Sequence, residues 1–184
     1  MPKRLLLCVT GSVAAIKVSE LVRAIREQEP AIEIRLVVTN NAKFFLNKAE
    51  ADVGCPVYDD EAEWNSWNSK GDPVLHIELR KWCDLLVICP LSANTLAKIA
   101  SGLCDNLVTS IVRAWDSSKR MIICPAMNSY MWENPITRKQ LGIVRDLHGS
   151  EVFEPKQNYP LACGDVGPGA LASVEDIVSH ILRS

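Results

Sequence analysis

An α/β fold is the class this sequence predicts, and three of its features carry the prediction. Apolar runs of strand length alternate along the chain with segments of helical period. The runs are continuously apolar, as strands covered on both faces are; half-buried strands would alternate. Small and polar residues follow several runs, as at Thr10-Gly11-Ser12 and Ser92-Ala93-Asn94-Thr95, where open parallel sheets gather ligands. A doubly wound, mostly parallel sheet with helices on both faces accounts for all three. The expected arrangement is Rossmann-like or flavodoxin-like, with right-handed crossovers.

Residues 5–9, Leu-Leu-Leu-Cys-Val, form the first expected strand. Val18, Leu21, Val22 and Ile25 recur at helical spacing, so residues 14–28 form an amphipathic helix that ends before Pro30. Residues 33–39 are the next strand, followed by a short helix around 42–48. Residues 84–89 read as a buried strand ended by Pro90, because proline brings no N–H to a ladder. The helix over 93–100 stops at Gly102, and a second helical piece covers 106–115. Residues 119–124 form a further strand, again ended by a proline, Pro125. Pro135 opens and Gly149 closes a helix over 135–147. A short strand at 151–153 and a helix at 174–182 complete the pattern. Two segments fit it poorly. One is 55–73, with Trp64 and Trp67; the other is 154–172, with Pro155, Pro160, Pro168 and three glycines. Long irregular segments on such a scaffold often carry function, so both are candidate lids or partner contacts.

The 184 residues suit one domain over 1–184, without repeat or linker. A chain of this length buries about 70% of its unfolded surface, so disulfide staples are not needed. A formal charge of -2 lacks the basic excess of a general nucleic-acid binder. The seven cysteines are odd in number, form no Cys-x-x-Cys pair and sit largely in apolar runs. They read as reduced, buried thiols of a cytoplasmic protein, with the nucleus as a second compartment. Lys3-Arg4 before the first apolar run imitates a signal peptide, but Thr10-Gly11-Ser12 breaks the run early and a helical period follows. No apolar stretch reaches the roughly 18 residues that span a bilayer, so no membrane partner is expected. The histidines and cysteines show no recurring ligand spacing, and no metal site is expected.

Several residues could carry chemistry. Thr10-Gly11-Ser12-Val13-Ala14 joins a strand to a helix, where backbone N–H groups and Ser12 meet an anion. It lacks the full Gly-x-Gly-x-x-Gly pattern and the Walker lysine, and an ordinary capped turn explains it equally well. Ser92, Asn94 and Thr95 cluster donors and acceptors at a helix start; capping accounts for one of them, and a phosphate or polar-ring contact for all three. Asn128, in Pro125-Ala126-Met127-Asn128, can bond a carboxylate or amide, while Met127, Met131 and Trp132 read as core. His76 alternates with apolar residues in Val74-Leu75-His76-Ile77-Glu78-Leu79, either as a satisfied structural group or as a general base. His148 and His180 lie near helix ends and read as surface residues. Cys163 stands in a glycine-rich stretch, where a thiol can serve a site that the loop closes over.

The order and spacing of these motifs resemble the flavin-dependent cysteine decarboxylases over nearly the whole chain. The most specific element is Pro125-x-Met127-Asn128-x-x-Met131-Trp132. Gly11-Ser12-Val13-Ala14, His76, Ser92-Ala93-Asn94-Thr95 and Ala162-Cys163-Gly164-Asp165 agree in position. The resemblance implies FMN at the carboxyl edge of the sheet, contacted by Gly11, Ser12, Val13, Thr39, Ser92, Ala93, Asn94, Thr95 and Ala126. It also implies a homotrimer with the flavin near a subunit boundary. Asn128 and Met131 would hold the cysteinyl end of the substrate, and the segment around Cys163 would be a flap. The implied reaction converts 4'-phosphopantothenoylcysteine to 4'-phosphopantetheine in coenzyme A biosynthesis. The cysteinyl side chain is transiently oxidised, carbon dioxide leaves, and the ene-thiol is reduced again. His76 would be the base and Cys163 the proton donor of that sequence. One departure stands out: family members carry a basic residue shortly before the Leu-Ala-Cys run, where this chain has Tyr159-Pro160. Two alternatives share the fold, a peptidyl-cysteine decarboxylase that stops at the ene-thiol and a non-catalytic phosphatase-regulatory relative. The presence of His76, Asn128 and Cys163 together favours the first reaction.

Overall fold

In the computed structural model, which describes residues 2–48 and 53–183, the long apolar runs become the centre of a parallel sheet. Its strands are β1 Arg4–Val9, β2 Glu33–Val38, β3 Val57–Tyr58, β4 Leu85–Leu91, β5 Arg120–Pro125 and β6 Glu151–Val152. Their order is β3-β2-β1-β4-β5-β6, and every pairing is parallel. This is the doubly wound order, with its reversal between β1 and β4. A 3₁₀ turn at Val13–Lys17 leads into α1 Val18–Gln28, and α2 Asn40–Lys48 follows β2. Then come α3 Asp60–Asn65, α4 Leu75–Trp82, α5 Ala93–Ala100, α6 Leu107–Arg113, α7 Ser129–Glu133, α8 Pro135–His148 and α9 Val174–Ile181. Two short strands, β7 Tyr159–Pro160 and β8 Val166–Gly167, form a separate antiparallel ribbon.

The two faces of the sheet sort by residue parity. Leu5, Leu7 and Val9 point with Leu36, Val87 and Cys124 toward α1 and α9. Leu6 and Cys8 point with Val37, Leu86 and Ile123 toward α4, α5, α6 and α8. Leu5, Leu6 and Leu7 are all fully buried, which explains the unbroken apolar run.

Local chemistry decides the boundaries. Ser92 caps α5 by accepting from the Thr95 N–H, and Asn106 and Thr109 form a reciprocal capping box on α6. Gly149 ends α8 in the left-handed conformation at φ 61. The strands differ from expectation at both prolines, for β4 and β5 continue through Pro90 and Pro125. A proline is tolerated there because β4 shifts register between Ile88 and Leu91, and the Pro90 carbonyl still accepts from the Thr10 N–H. The first helix is entered through the 3₁₀ turn rather than directly at residue 14. The 55–73 segment is not irregular throughout: it holds β3 and α3, with Asp59 capping α3 at its start. His76, whose surroundings alternate in the sequence, lies on a helix, α4. His148 and His180 are both half-buried rather than surface residues. His180 lies 2.8 Å from Glu151, a carboxylate it shares with Arg120 behind β6, and its ring is tilted against Phe153. The Arg120 hydrogen bond holds the Glu151 carboxyl below the usual range. Burial, and then the Arg113 charge, hold the His148 pKa below its ordinary value. No helix among the described residues is long and apolar enough to cross a membrane.

Thr10 closes the reversal between β1 and β4. Its hydroxyl donates to the Pro90 carbonyl at 2.8 Å and accepts from the Ser92 N–H at 2.7 Å, in a fully buried position. Replacing it with valine keeps the shape and strands the Ser92 N–H. Thr10→Val should therefore cost about 1–3 kcal/mol, read as a lowered urea midpoint, while Thr10→Ser stays close to the parent. An unshifted midpoint for the valine variant would mean that this bridge does not hold the two strands.

Candidate active site

The loops that leave β1, β4 and β5 meet at the carboxyl edge of the sheet. Gly11 follows β1 because nothing larger fits: a Cβ there would lie 2.5 Å from the Asn41 Cβ. Ser12 then caps the 3₁₀ turn and donates to the Ala126 carbonyl at 3.0 Å, tying the first loop to the loop after β5. Two clefts flank this turn. The first, of about 360 Å³, is walled largely by apolar groups, among them Val13, Ala126, Leu161 and Leu171, with Asn128 and Cys163 on its surface. The second, of about 230 Å³, is polar, and Gly11, Thr39, Ser92, Asn94 and Thr95 line it. The N-termini of α2 and α5 open onto it, so N–H groups and hydroxyls point where an anion would sit. The acidic residues at this cleft are engaged: Asp60 accepts from the Leu107 N–H, and Asp105 pairs with Lys98 at 2.6 Å. An apolar slot beside a donor-rich pocket, joined by a glycine turn that excludes a Cβ, fits a flat ring with a phosphate tail.

Eight of the nine cofactor residues expected from the sequence line one cleft or the other. Ala93 lines neither; it is half-buried against the α4–α8 side of the core.

Asn128 and Cys163, 35 residues apart, are in direct contact. The Asn128 Oδ1 accepts from the Tyr130 N–H at 2.9 Å and so caps α7, which turns its Nδ2 to donate to the Cys163 Sγ at 3.2 Å. The thiol lies 3.4 Å from Asp165 Oδ2, to which it donates. Cys163 sits at the tip of the β7–β8 ribbon, in a turn closed by the Leu161 N–H to Asp165 carbonyl bond of 2.8 Å. The ribbon is anchored at its base. Met127 N–H donates to the Gly169 carbonyl at 2.9 Å, and Ser129 Oγ to the Pro168 carbonyl at 2.8 Å. Gly169 is required there, since its φ is 113 and a Cβ would lie 2.3 Å from the Met127 oxygen. The result is an exposed thiol on a tethered flap. Buried thiols differ in kind: burial pushes Cys83, at the end of α4, up to about 11, and Cys8, in β1, further still. Cys8, Cys83, Cys89, Cys104, Cys124 and Cys163 form no disulfide.

His76 is elsewhere. It stands in the first turn of α4, on the opposite face of the sheet from the 3₁₀ turn, and its Nδ1 lies 2.5 Å from Glu63 Oε1. With Nδ1 held by the carboxylate, Nε2 is the nitrogen left to accept a proton. Glu63 rides on α3, which is pinned by Asp59 to Lys43 at 2.6 Å and by Asp60 to the Leu107 N–H at 2.8 Å. The Lys43 hydrogen bond holds the Asp59 carboxyl below the usual range. Met131 is also outside the first cleft, half exposed, with its carbonyl accepting from Thr137 Oγ1. Glu63 and Lys17 are not singled out by the sequence, and Thr10 and Tyr159 appear there only as members of longer motifs. For Glu63 a signal existed, the Asp59 cap followed by three acids in one turn, but the segment lacks apolar periodicity.

A model of the Flavoprotein family matches residues 1–184. The chain belongs to this flavoprotein family. It is 51% identical over 178 residues to a phosphopantothenoylcysteine decarboxylase of Arabidopsis thaliana, covering 97% of this chain and 83% of that protein. Among solved structures it is similar to a mutant PPC decarboxylase complexed with pantothenoylaminoethenethiol. That match has a TM-score of 0.90 and 49% identity, over 98% of this chain and 97% of that one. The FMN binding protein AtHal3 gives 0.86 at 50% identity, over 97% of this chain and 94% of that one.

The flavoprotein's Glu63–His76 pair makes its own prediction. His76→Asn should retain flavin and lose about 10²–10⁴-fold in turnover. Glu63→Gln, which keeps a hydrogen-bonding group and removes the charge, should lose less than His76→Asn while retaining flavin. Full activity in the glutamine variant would mean that the carboxylate does not orient His76 for turnover.

Proposed function

We propose that this flavoprotein is an FMN-dependent carboxy-lyase that converts 4'-phosphopantothenoylcysteine to 4'-phosphopantetheine in coenzyme A biosynthesis. The observation that carries this reading is the Asn128–Cys163 contact inside a cleft shared with Ser12, Val13 and Ala126. The AtHal3 and PPC decarboxylase relatives support both the cofactor and the substrate. FMN would be held by Gly11, Ser12, Val13, Thr39, Ser92, Asn94, Thr95 and Ala126, with Ala93 next to Ser92 but outside both clefts, the apolar cleft suiting its ring and the polar cleft its phosphate. When bound it supplies reversible two-electron oxidation of the cysteinyl side chain.

The protein's part is binding and proton management. Asn128 holds the substrate carboxylate through Nδ2, the donor that now contacts Cys163, with Met131 beside the cysteinyl end. His76 takes a proton through Nε2 as the side chain is oxidised to the thioaldehyde. That carbonyl analogue accepts the electron pair that the departing carbon dioxide leaves behind, and an ene-thiol results. Cys163 would then supply from Sγ the proton that the ene-thiol takes up as it is reduced. Its two partners suit a proton donor, since Asn128 donates to the sulfur and Asp165 accepts the thiol hydrogen. The closed flap excludes water and oxygen meanwhile. A peptidyl-cysteine decarboxylase that stops at the ene-thiol has no use for such a thiol.

A homotrimer reconciles the position of His76 with this chemistry. Within one chain His76 lies apart from the Cys163 cleft, so a second copy brings its own His76 to it. Apolar side chains around the cleft are left for a neighbour to cover, Tyr130 at 75% and Met131 at 52% exposure among them. We read residues 1–184 as one decarboxylase domain. Six cysteines without a disulfide, Cys8, Cys83, Cys89, Cys104, Cys124 and Cys163, support a reducing compartment, the cytoplasm, with the nucleus as a second site.

Cys163→Ser tests the reading. Incubated with substrate, the FMN-loaded variant should release carbon dioxide and accumulate a species lighter than substrate by carbon dioxide and two hydrogens, as read by mass spectrometry. Normal 4'-phosphopantetheine from that variant would take Cys163 out of the reaction, and no carbon dioxide from the parent would reject the decarboxylase itself.

A further inference from the structure

The first cleft has charge at one residue of its lining. Lys17, the last residue of the 3₁₀ turn, is there, and no described acidic residue is. Its ammonium lies 5.9 Å from the ring centroid of Tyr159, on β7 of the flap. A second ammonium, that of Lys156, lies 4.3 Å from the same ring. Tyr159 also lines the cleft, and it joins the two cations through its π-face. Lys156 is well placed to stay there. Its N–H donates to the Ala170 carbonyl at 2.8 Å, and its carbonyl accepts from the Gly169 N–H at 3.1 Å.

Four other lysines have polar partners. Lys43 pairs with Asp59, Lys81 with Glu78 and Lys98 with Asp105, and Lys119 donates to three carbonyls. Lys17 and Lys156 meet no carboxylate within ion-pair distance among the described residues; they meet the ring instead. Two uncompensated positive charges on one aromatic ring, at the wall of an apolar cleft, repel each other unless an anion joins them. The flap offers no cation of its own, since residues 157–165 contain neither Lys nor Arg.

We infer that Lys17 and Lys156, gathered on the ring of Tyr159, form an anion subsite that takes the terminal phosphate of the substrate. The inference rests on the decarboxylase reading for the identity of that substrate. Lys17 and Lys156 touch the phosphate as point charges, and Tyr159 is a positioning residue that brings them together when the flap lies over the cleft. The neutral pantothenoyl arm then runs along the apolar wall to the cysteinyl end at Asn128. Substrate binding and flap position become coupled, because Lys17 belongs to the scaffold whereas Tyr159 and Lys156 belong to the flap and its base.

Equilibrium binding to the FMN-loaded protein tests this without turnover. Calorimetry compares 4'-phosphopantetheine with pantetheine, which lacks the phosphate. The parent should bind the phosphorylated ligand about tenfold or more tightly, as two charge-assisted contacts allow, and the ratio should shrink as salt is raised. Lys156→Gln and Lys17→Gln should each lower the ratio, and the double variant should bring it near one. Tyr159→Phe should preserve the ratio and Tyr159→Leu should lose it, with flavin absorbance unchanged as the check on folding. A parent ratio near one, or a ratio retained in the double variant, overturns the subsite. A parent that discriminates yet releases no carbon dioxide from 4'-phosphopantothenoylcysteine keeps the subsite and rejects the decarboxylase reading instead.

Discussion

The bridge made by Thr10 across the gap between β1 and β4 is the constraint on which the rest depends. The chain leaves these parallel neighbours in opposite directions, toward α1 on one face and α5 on the other. A crevice opens between the departing loops, and its backbone groups lose the ladder that satisfies them inside the sheet. The Thr10 hydroxyl takes over, giving to Pro90 and receiving from Ser92. Gly11 can then lie against Asn41, and Ser12 can reach Ala126. Loops from three strands are thereby held at one edge by the protein's own groups.

That edge is divided by polarity. One cleft is apolar and bordered by the flap; the other is edged by hydroxyls and by the starts of two helices. The division follows from the sheet, since residues after β5 face the α1 side while the starts of α2 and α5 converge near the reversal. A cofactor that is apolar at one end and anionic at the other is matched by this layout. The same layout separates the thiols by reactivity. Burial pushes up the thiols of Cys8 in β1 and Cys83 at the end of α4, whereas Cys163 is exposed at the tip of a ribbon that is fixed at its base and touches Asn128.

His76 and Cys163 occupy different parts of the fold. His76 and Glu63 belong to helices packed on one face, and Cys163 to a ribbon hung from the other. Within one chain they serve separate surfaces. Each is built on rigid local structure, α3 and α4 for His76 and the ribbon anchor for Cys163.

The fold was legible from the chain order to a large extent. Strands β1, β2, β4 and β5 announce themselves because burial on both faces demands uninterrupted apolar residues, and α1, α5, α8 and α9 because one buried stripe leaves a helical period. Segments that bury little left no such trace. The α3 helix has no buried residue, so Glu63 stayed hidden in a stretch that looked irregular, and the two-residue strands of the flap are too short to show a period. Motifs near the strand ends marked Ser12, Ser92 and Asn128 as candidates, since small polar residues after an apolar run are a local pattern. Whether those residues meet is not local. The Asn128–Cys163 contact, the carboxylate behind His76 and the two lysines on Tyr159 join positions tens of residues apart or bend the chain back within a few. Such contacts arise from the angles at which loops leave the sheet, and those angles come from packing over the whole domain rather than from any window of residues.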